Sequence, residues 1–460
     1  MRAGRDRDLP VLKALKARRR GHAVGPVAPP SSNARHRRVL IPAGLAPTAE
    51  ADLAPTAEAD LAPTAEADLA PGPSKACEFA VIADRAGFDA LEAEWNALFA
   101  RAGRPCQIFQ TFNWLWHWAN HYLDGGTELT VVTGRQDGRL AIVWPLVATR
   151  VAGVRQLSWM GEPVSQYGDV LVEEGPDTPD WLRRSWAYVK SLGADIVHLR
   201  KVRSDAVISP LLAEAGAIST DSATAPCLDL ASAKDFETYK QRYSAKKRSR
   251  RRRHLRRLQE AGSITFEQHS RGPMAHDLVG HALGLKRAWL VQRGLFSPVL
   301  QDSRLDRFFR DIALDRARSP GTRISAVRCN GAPIAVEISF ECKAHVFGYI
   351  ISHDLEFEKQ GLGVVLAEYS IRTAHEQGCA KFDLLAPADA YKMDWADDAS
   401  IEVADWAMPL SHAGALYARL WLGSARQWVK KAAGGLPPRL GRMLSAIYCW
   451  AATSSPQGKP

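Results

Sequence analysis

The chain has 460 residues, 46% of them hydrophobic and 24% charged, a balance that supports a sizeable folded core and excludes a wholly disordered chain. Its formal charge of +10 is unevenly spread: residues 1–44 hold eleven Lys and Arg against two Asp, and residues 45–76 hold six acids against one Lys. The remainder is only mildly basic, so the total charge alone does not argue for nucleic acid.

Residues 1–44 show no sustained periodicity and read as a basic disordered tail. Leu45–Asp52, Leu53–Asp60 and Leu61–Asp68 are three copies of LAPTAEAD, too short a period for a solenoid, so 45–76 reads as a low-complexity linker. Neither an apolar run of signal-peptide length nor a span of about 18 apolar residues is present, and the expected location is the cytoplasm, with peripheral contact at the inner membrane face as a candidate. Seven scattered cysteines (Cys77, Cys106, Cys227, Cys329, Cys342, Cys379, Cys449) with no C-x-x-C pair fit reduced thiols better than disulfides or zinc.

From Cys77 onward the pattern predicts strand 79–82, helices 88–100 and 113–121, then strands 129–135 and 140–148 around the hairpin signal Asp137-Gly138. Strands 154–159 and 169–172, helix 181–191 and strand 196–199 follow. The second half repeats the order. Helices are expected at 236–261, 274–293 and 305–317, with a strand at 264–268. Strands 324–329 and 333–341 flank Asn330-Gly331, and strand 345–351, helix 361–377 and strand 381–385 complete the copy. The expected fold class is therefore α/β (α+β), two tandem units, each a mixed, largely antiparallel sheet flanked by helices. The boundaries expected are 77–226 and 227–410, with an amphipathic helical tail at 411–460 whose Trp421, Trp428 and Trp450 stand near Arg and Lys.

Glu358-Lys359-Gln360-Gly361-Leu362-Gly363 places two glycines at the start of a helix that follows a strand. Unpaired N–H groups there, at the positive end of the helix dipole, suit a pyrophosphate that the glycines allow to approach. Gln360, Gly361, Leu362 and Gly363 are the candidate donor-binding residues. The first copy has Met160-Gly161-Glu162-Pro163 at this point, and its Pro is unsuited to a cradle, so donor binding and chemistry are expected in the second copy. The first would be structural or bind the acceptor. Aligning the two hairpins sets Trp144 over Glu337. Glu337 lies mid-strand among Val336, Ile338 and Phe340, where burial would raise its pKa and fit it for a base; a carboxylate paired at the rim is the competing reading.

The order of strands, the hairpin and the glycine turn resemble the GNAT acyltransferase superfamily, whose loop binds the pyrophosphate of acyl-CoA. Glu358 stands where that superfamily usually has Gln or Arg. Phe382-Asp383-Leu384-Leu385, then Tyr391-Lys392 and Trp395, resemble the F-D-F-L … Y-K-x-x-W block of the bacterial cellulose and exopolysaccharide acetyltransferases (the CelD/BcsL group), as does the basic helix ahead of the domain. This chain differs in having Ala386-Pro387-Ala388 and Lys359-Gln360 at positions where the group tends to have a glycine and Ser-Pro. The resemblance implies an acyl group taken from acetyl-CoA or another acyl-CoA and passed, without metal, to a sugar or amino-sugar acceptor. Tyr391 would protonate the leaving thiolate or simply pack. Lys392, Trp395 and Asp383 would serve the acceptor, with a solvated Lys392 and a turn-holding Asp383 as rivals.

Lys240–Arg257 carries eleven Lys and Arg in eighteen residues. It is read as a solvated face or, together with the C-terminal tail, as a surface for an anionic membrane or polyphosphate, with nucleic acid disfavoured. His117 and His121, four apart, are read as core or edge histidines because Trp118 stands where a zinc protease has Glu. Two other functions remain open: a Fem-type aminoacyltransferase drawing on aminoacyl-tRNA, and a non-catalytic scaffold at a membrane or synthase.

Overall fold

The computed structural model describes residues 77–396 and 399–425; the tail and repeat at 1–76, with Trp428, Cys449 and Trp450, lie outside the described residues. Strand β1 (Cys77–Ile82) leads into helices α1 (Arg85–Ala90), α2 (Glu92–Ala102) and α3 (Phe112–Tyr122). Strands β2 (Thr127–Leu129), β3 (Val131–Gln136), β4 (Arg139–Trp144), β5 (Leu146–Val151), β6 (Val154–Trp159) and β7 (Leu171–Val172) follow. Then come α4 (Thr178–Lys190), β8 (Ile196–Arg203), α5 (Ser209–Glu214) and β9 (Ile218–Asp229).

The chain continues through α6 (Phe236–Lys240), α7 (Ala245–Gln259), β10 (Ile264–His269), α8 (Pro273–Gln292), α9 (Pro298–Gln301) and α10 (Ser303–Leu314). Strands β11 (Thr322–Cys329), β12 (Ala332–Cys342) and β13 (His345–His353) precede α11 (Leu362–Glu376), β14 (Lys381–Asp383), α12 (Ala390–Ala396), β15 (Ser400–Pro409) and α13 (His412–Tyr417).

The repeat is visible in the pairing. In the first copy β1 pairs antiparallel with β3, β3 with β4, β5 with β6, and β6 runs parallel to β8. In the second β10 pairs with β11, β11 with β12, β12 with β13, and β13 runs parallel to β14. Expected strand 140–148 is broken at Pro145, which has no N–H to donate: β4 stays in a four-stranded sheet and β5 enters an eleven-stranded one. Expected helix 236–261 is likewise two helices. Ser244 adopts an extended conformation and its side chain accepts from Lys247 N, starting α7 afresh.

Two strands that the sequence pattern did not announce join the copies. β9 runs across position 226/227 and pairs with β14 through Cys227–Asp229, and β15 lies between β8 and β9. The apolar core is shared as well: Phe109 and Trp114 from the first copy meet Phe347, Phe308 and Phe340 from the second. His117 Nε2 lies 3.1 Å from Arg318 O and His121 Nε2 2.6 Å from Asp311, so each is taken up by a neighbouring element.

One polar tie between the copies is fully buried. Asp383, at the end of β14, accepts from Tyr167 at 2.9 and 3.0 Å, from Arg203 Nη1 at 2.7 Å and from Leu385 N at 2.7 Å. The Arg203 guanidinium also lies 4.8 Å from the Tyr167 ring centroid and pairs with Asp205. Removing one member of such a cluster strands the others in a low dielectric. Asp383→Ala is therefore expected to cost about 3–5 kcal/mol in denaturant unfolding; a loss under about 1 kcal/mol would show that Asp383 does not join the copies.

Candidate functional site

β13 and β14 are paired over three residues only, His345 to Phe347 against Lys381 to Asp383. Beyond that point β13 continues to His353, whereas the other chain turns away at Leu385 (φ +59°) into α12. Two parallel strands that part leave unpaired backbone on both lips of a gap. On the β13 lip the register slips against β12: Ile338 faces Ile350 and Ser339 faces Gly348, so Tyr349 is an extra residue in a bulge. Its hydroxyl donates to Val164 O of the first copy at 2.6 Å.

The start of α11 closes the gap. A short helical turn over Leu355–Gln360 ends at Gly361, which sits in the left-handed region (φ +71°, ψ 35°) and donates to Glu358 O at 3.1 Å. Val364 and Val365 donate to Gly361 O, so the N–H groups of Leu362 and Gly363 precede the first bonds of the helix. These are the two donors at the positive end of a fifteen-residue helix. The space over Gly363 is open, since a Cβ there would come no closer than 3.5 Å, to His353 Nδ1, whereas Gly361 is covered by His254, whose Nδ1 would lie 2.3 Å from a Cβ.

Cations gather around this helix start, several of them residues that pattern reading did not single out. Arg293, at the end of α8, is ion-paired with Glu358, so the acid at the superfamily's Gln or Arg position brings a guanidinium with it. Lys286 of α8 points its Nζ at Ile351 O, 3.5 Å away, and burial lowers its pKa, opposed by Asp389. Burial likewise lowers the pKa of His353. Lys286 and Arg293 both lie beside Trp289, 4.7 and 4.8 Å from its ring centroid. None of these residues carries a sequence signal; the gap is assembled by the packing of α8 on β13.

Glu337 is on the α11 side of β12, 4% exposed. Burial pushes its pKa up to about 7, with the Ser370 hydroxyl and the more distant Arg323 opposing. Ser370 approaches without a hydrogen bond of ordinary geometry, and Oε2 has no partner among the described residues. Gly348 leaves the way from Glu337 to the gap clear of a side chain, since even a Cβ there would lie 3.3 Å from Oε1. In the first copy Trp144 donates to Ser185 Oγ of α4 at 3.0 Å and stacks with Trp159 and Trp186. Three indoles thus fill that copy where the second has a carboxyl and a glycine.

Gln360 precedes the helix start, and its Oε1 has no partner among the described residues. Tyr391 donates to Gly363 O at 3.0 Å, and burial pushes its pKa well up, with Glu337 adding to the rise. Lys392 donates to Leu385 O at 2.8 Å and Pro387 O at 3.0 Å, holding the turn on the far lip, and burial lowers its pKa. Trp395 is buried beneath Arg251, whose guanidinium is 3.5 Å from the ring centroid, and Asp383 lies in the cluster that joins the copies. The structure thus brings Glu337, Tyr391, Gly361, Leu362 and Gly363 together around α11, with Lys392 across the gap. It sets Trp395 and Asp383 in the packing behind them.

Residues 245–393 match the family described as Acetyltransferase (GNAT) domain. That segment holds the gap, the helix start and Glu337, so the match falls on the second copy, whose fold is of the GNAT type. Among solved structures, the chain is similar to FemX at 11% identity, covering 72% of this chain and 98% of that one with a TM-score of 0.51. It also matches the C-terminal domain of a putative lysylphosphatidylglycerol synthetase from Agrobacterium fabrum (14% identity, 72% and 94% covered, TM-score 0.45). A tandem GNAT protein from the clavulanic acid biosynthesis pathway matches at 15% identity, 73% and 99% covered, TM-score 0.42. At these identities the FemX likeness speaks to the fold alone. A comparison with curated proteins gave no match. No helix among the described residues is long and apolar enough to cross a membrane, and no cluster among them could hold a metal.

Because the pKa of Glu337 is raised, ionising it costs the folded state. That cost is absent below the ordinary carboxylate value, grows as pH rises, and is complete above about 7. Glu337→Gln should therefore melt like the wild type at pH 4.5 and above it at pH 8, by on the order of 2–3 kcal/mol. Equal gaps between the two melting curves at both pH values would contradict this placement of the carboxyl.

Proposed function

We propose that the second copy transfers an acyl group from acetyl-CoA or another acyl-CoA to an amine or hydroxyl of a sugar or amino sugar. The observation that carries the donor is the pair of free amides, Leu362 and Gly363, opening α11 at the point where β13 and β14 part. A pyrophosphate there leaves the pantetheine arm to run along the gap toward the Tyr349 bulge. An unpaired strand N–H at that bulge is suited to polarise a thioester carbonyl.

In this reading Glu337 takes the proton from the acceptor as its nitrogen or oxygen attacks the carbonyl carbon. A pKa near 7 suits that exchange. The C–S bond then breaks and coenzyme A leaves as the thiol once its sulfur is protonated. Tyr391, kept protonated by its raised pKa, gives its single O–H to Gly363 O at rest; in the reaction it turns to protonate the sulfur and is reprotonated, through solvent, by the proton that Glu337 took from the acceptor. Lys392 shapes the acceptor lip. Acyl-CoA as donor fits a cytoplasmic enzyme, and the saccharide acceptor in envelope or exopolysaccharide synthesis rests on the Phe382–Trp395 resemblance.

One observation favours a second reading, an aminoacyl-tRNA donor of the Fem type. The exposed Arg252, Arg256 and Arg257 of α7 extend the positive surface beyond what one coenzyme needs. Titration calorimetry of the full chain distinguishes the two. Acetyl-CoA should bind in the micromolar range, and Gly363→Asp, which the space at Gly363 accommodates, should weaken it at least about tenfold by setting a carboxylate against the phosphates. Binding of aminoacyl-tRNA and not of acetyl-CoA would sink the first reading in favour of the second.

A further inference from the structure

Helix α7 is tied to the donor site by packing. Leu255 and Leu258 join Leu362, Val365 and Leu366 of α11 in one apolar cluster, so the basic helix lies along the helix whose start forms the cradle. His254 caps this contact: its ring sits where a side chain on Gly361 would go, and its Nδ1 has no partner among the described residues. Arg250, Arg253 and Arg257 surround the same ring, one position before it and roughly a turn to either side.

Nine of the fifteen residues of α7 are Lys or Arg and none is acidic. Arg250 and Arg253 also line a groove of about 510 Å³ with Lys246, Ser249 and Asp394. Asp394, the one acid among the described residues that line it, is already shared by Lys247 at 3.3 Å, Arg250 at 2.7 Å and Arg251 at 3.7 Å. Lys246 and Arg253 are exposed and make no ion pair among the described residues. The groove is therefore net positive, walled, and supplied with a hydroxyl, which is the chemistry of a phosphate site.

We propose that this groove receives the 3′-phosphate of coenzyme A, so that α7 forms the outer wall of the donor site. The inference rests on the acyl-CoA reading above. The geometry is one of spacing. From the pyrophosphate to the 3′-phosphorus of the adenosine is six covalent bonds, a reach comparable to one helical turn of about 5.4 Å. Stepping one turn back along α7 from His254, which marks the cradle, arrives at Arg250 and the groove. A phosphate dianion there meets Arg253 and Lys246, which lack ion-pair partners among the described residues, and relieves the crowding of three cations on Asp394.

The test compares acetyl-CoA with 3′-dephospho-acetyl-CoA by calorimetry on the full chain. The wild type should bind the dephospho form about tenfold more weakly or worse. The double variant Lys246→Ala/Arg253→Ala, whose side chains are exposed, should bring the two ligands within about twofold, and Arg253→Lys should keep most of the difference. Undiminished discrimination in the double variant overturns the inference while leaving acyl-CoA as donor. Failure of either ligand to bind the wild type overturns both. A wild type that does not discriminate, yet loses binding to a 20-mer RNA or to phosphatidylserine vesicles in the double variant, assigns the helix to that polyanion instead.

Discussion

Everything proposed for this protein depends on two parallel strands that are held together at one end and released at the other. β13 and β14 keep three residues of pairing, and the last of them, Asp383, is fastened by Arg203 and Tyr167 from the first copy. A buried carboxylate with a guanidinium, a phenol and a backbone amide on it is costly to disturb. It therefore fixes where pairing stops, and with it where the gap begins. The bulge at Tyr349 and the turn at Leu385 then direct the two chains apart.

The first copy supports the second without duplicating its opening. Its own parallel pair, β6 and β8, is backed by Trp144, Trp159 and Trp186, which stack on one another and tie down through Ser185. The equivalent place in the second copy holds Glu337, Ser370 and Gly348. One substitution pattern, indole against carboxyl and glycine, thus separates a filled unit from an open one. The first copy also reaches the gap directly, since Tyr349 is held by the carbonyl of Val164. Its influence on the site is positional: it sets the lip and stabilises the end of β14.

Much of this was legible in the sequence because it lies in local pattern. The hairpins at Asp137-Gly138 and Asn330-Gly331, the strand at Val154–Trp159 and the glycine start of α11 all follow from turn chemistry and periodicity. Glu337 could be singled out because a charge among Val336, Ile338 and Phe340 is out of place on a strand. What remained illegible is long-range. β9 and β15 pair across the two copies, and their residues become strand partners only after both copies have formed. Pro145 could be read as a break, but not as a crossing between sheets. The polar side chains at the helix start come from α7, α8 and β13, and no spacing in the chain announces that His254, Arg293 and His353 converge. Trp395 and Asp383 show the opposite case: distinctive in sequence, they are placed in packing behind the gap.

The central claim is that the helix start at the parting of β13 and β14 is where the donor sits. Amide hydrogen exchange of the full chain with and without acetyl-CoA tests it most directly, because it reads the two amides on which the account depends. Slowed exchange is expected at Gln360–Val365 and around Tyr349, with little change in the Trp-filled part of the first copy. Protection centred on β6 and β8, with Leu362 and Gly363 unaffected, would contradict it.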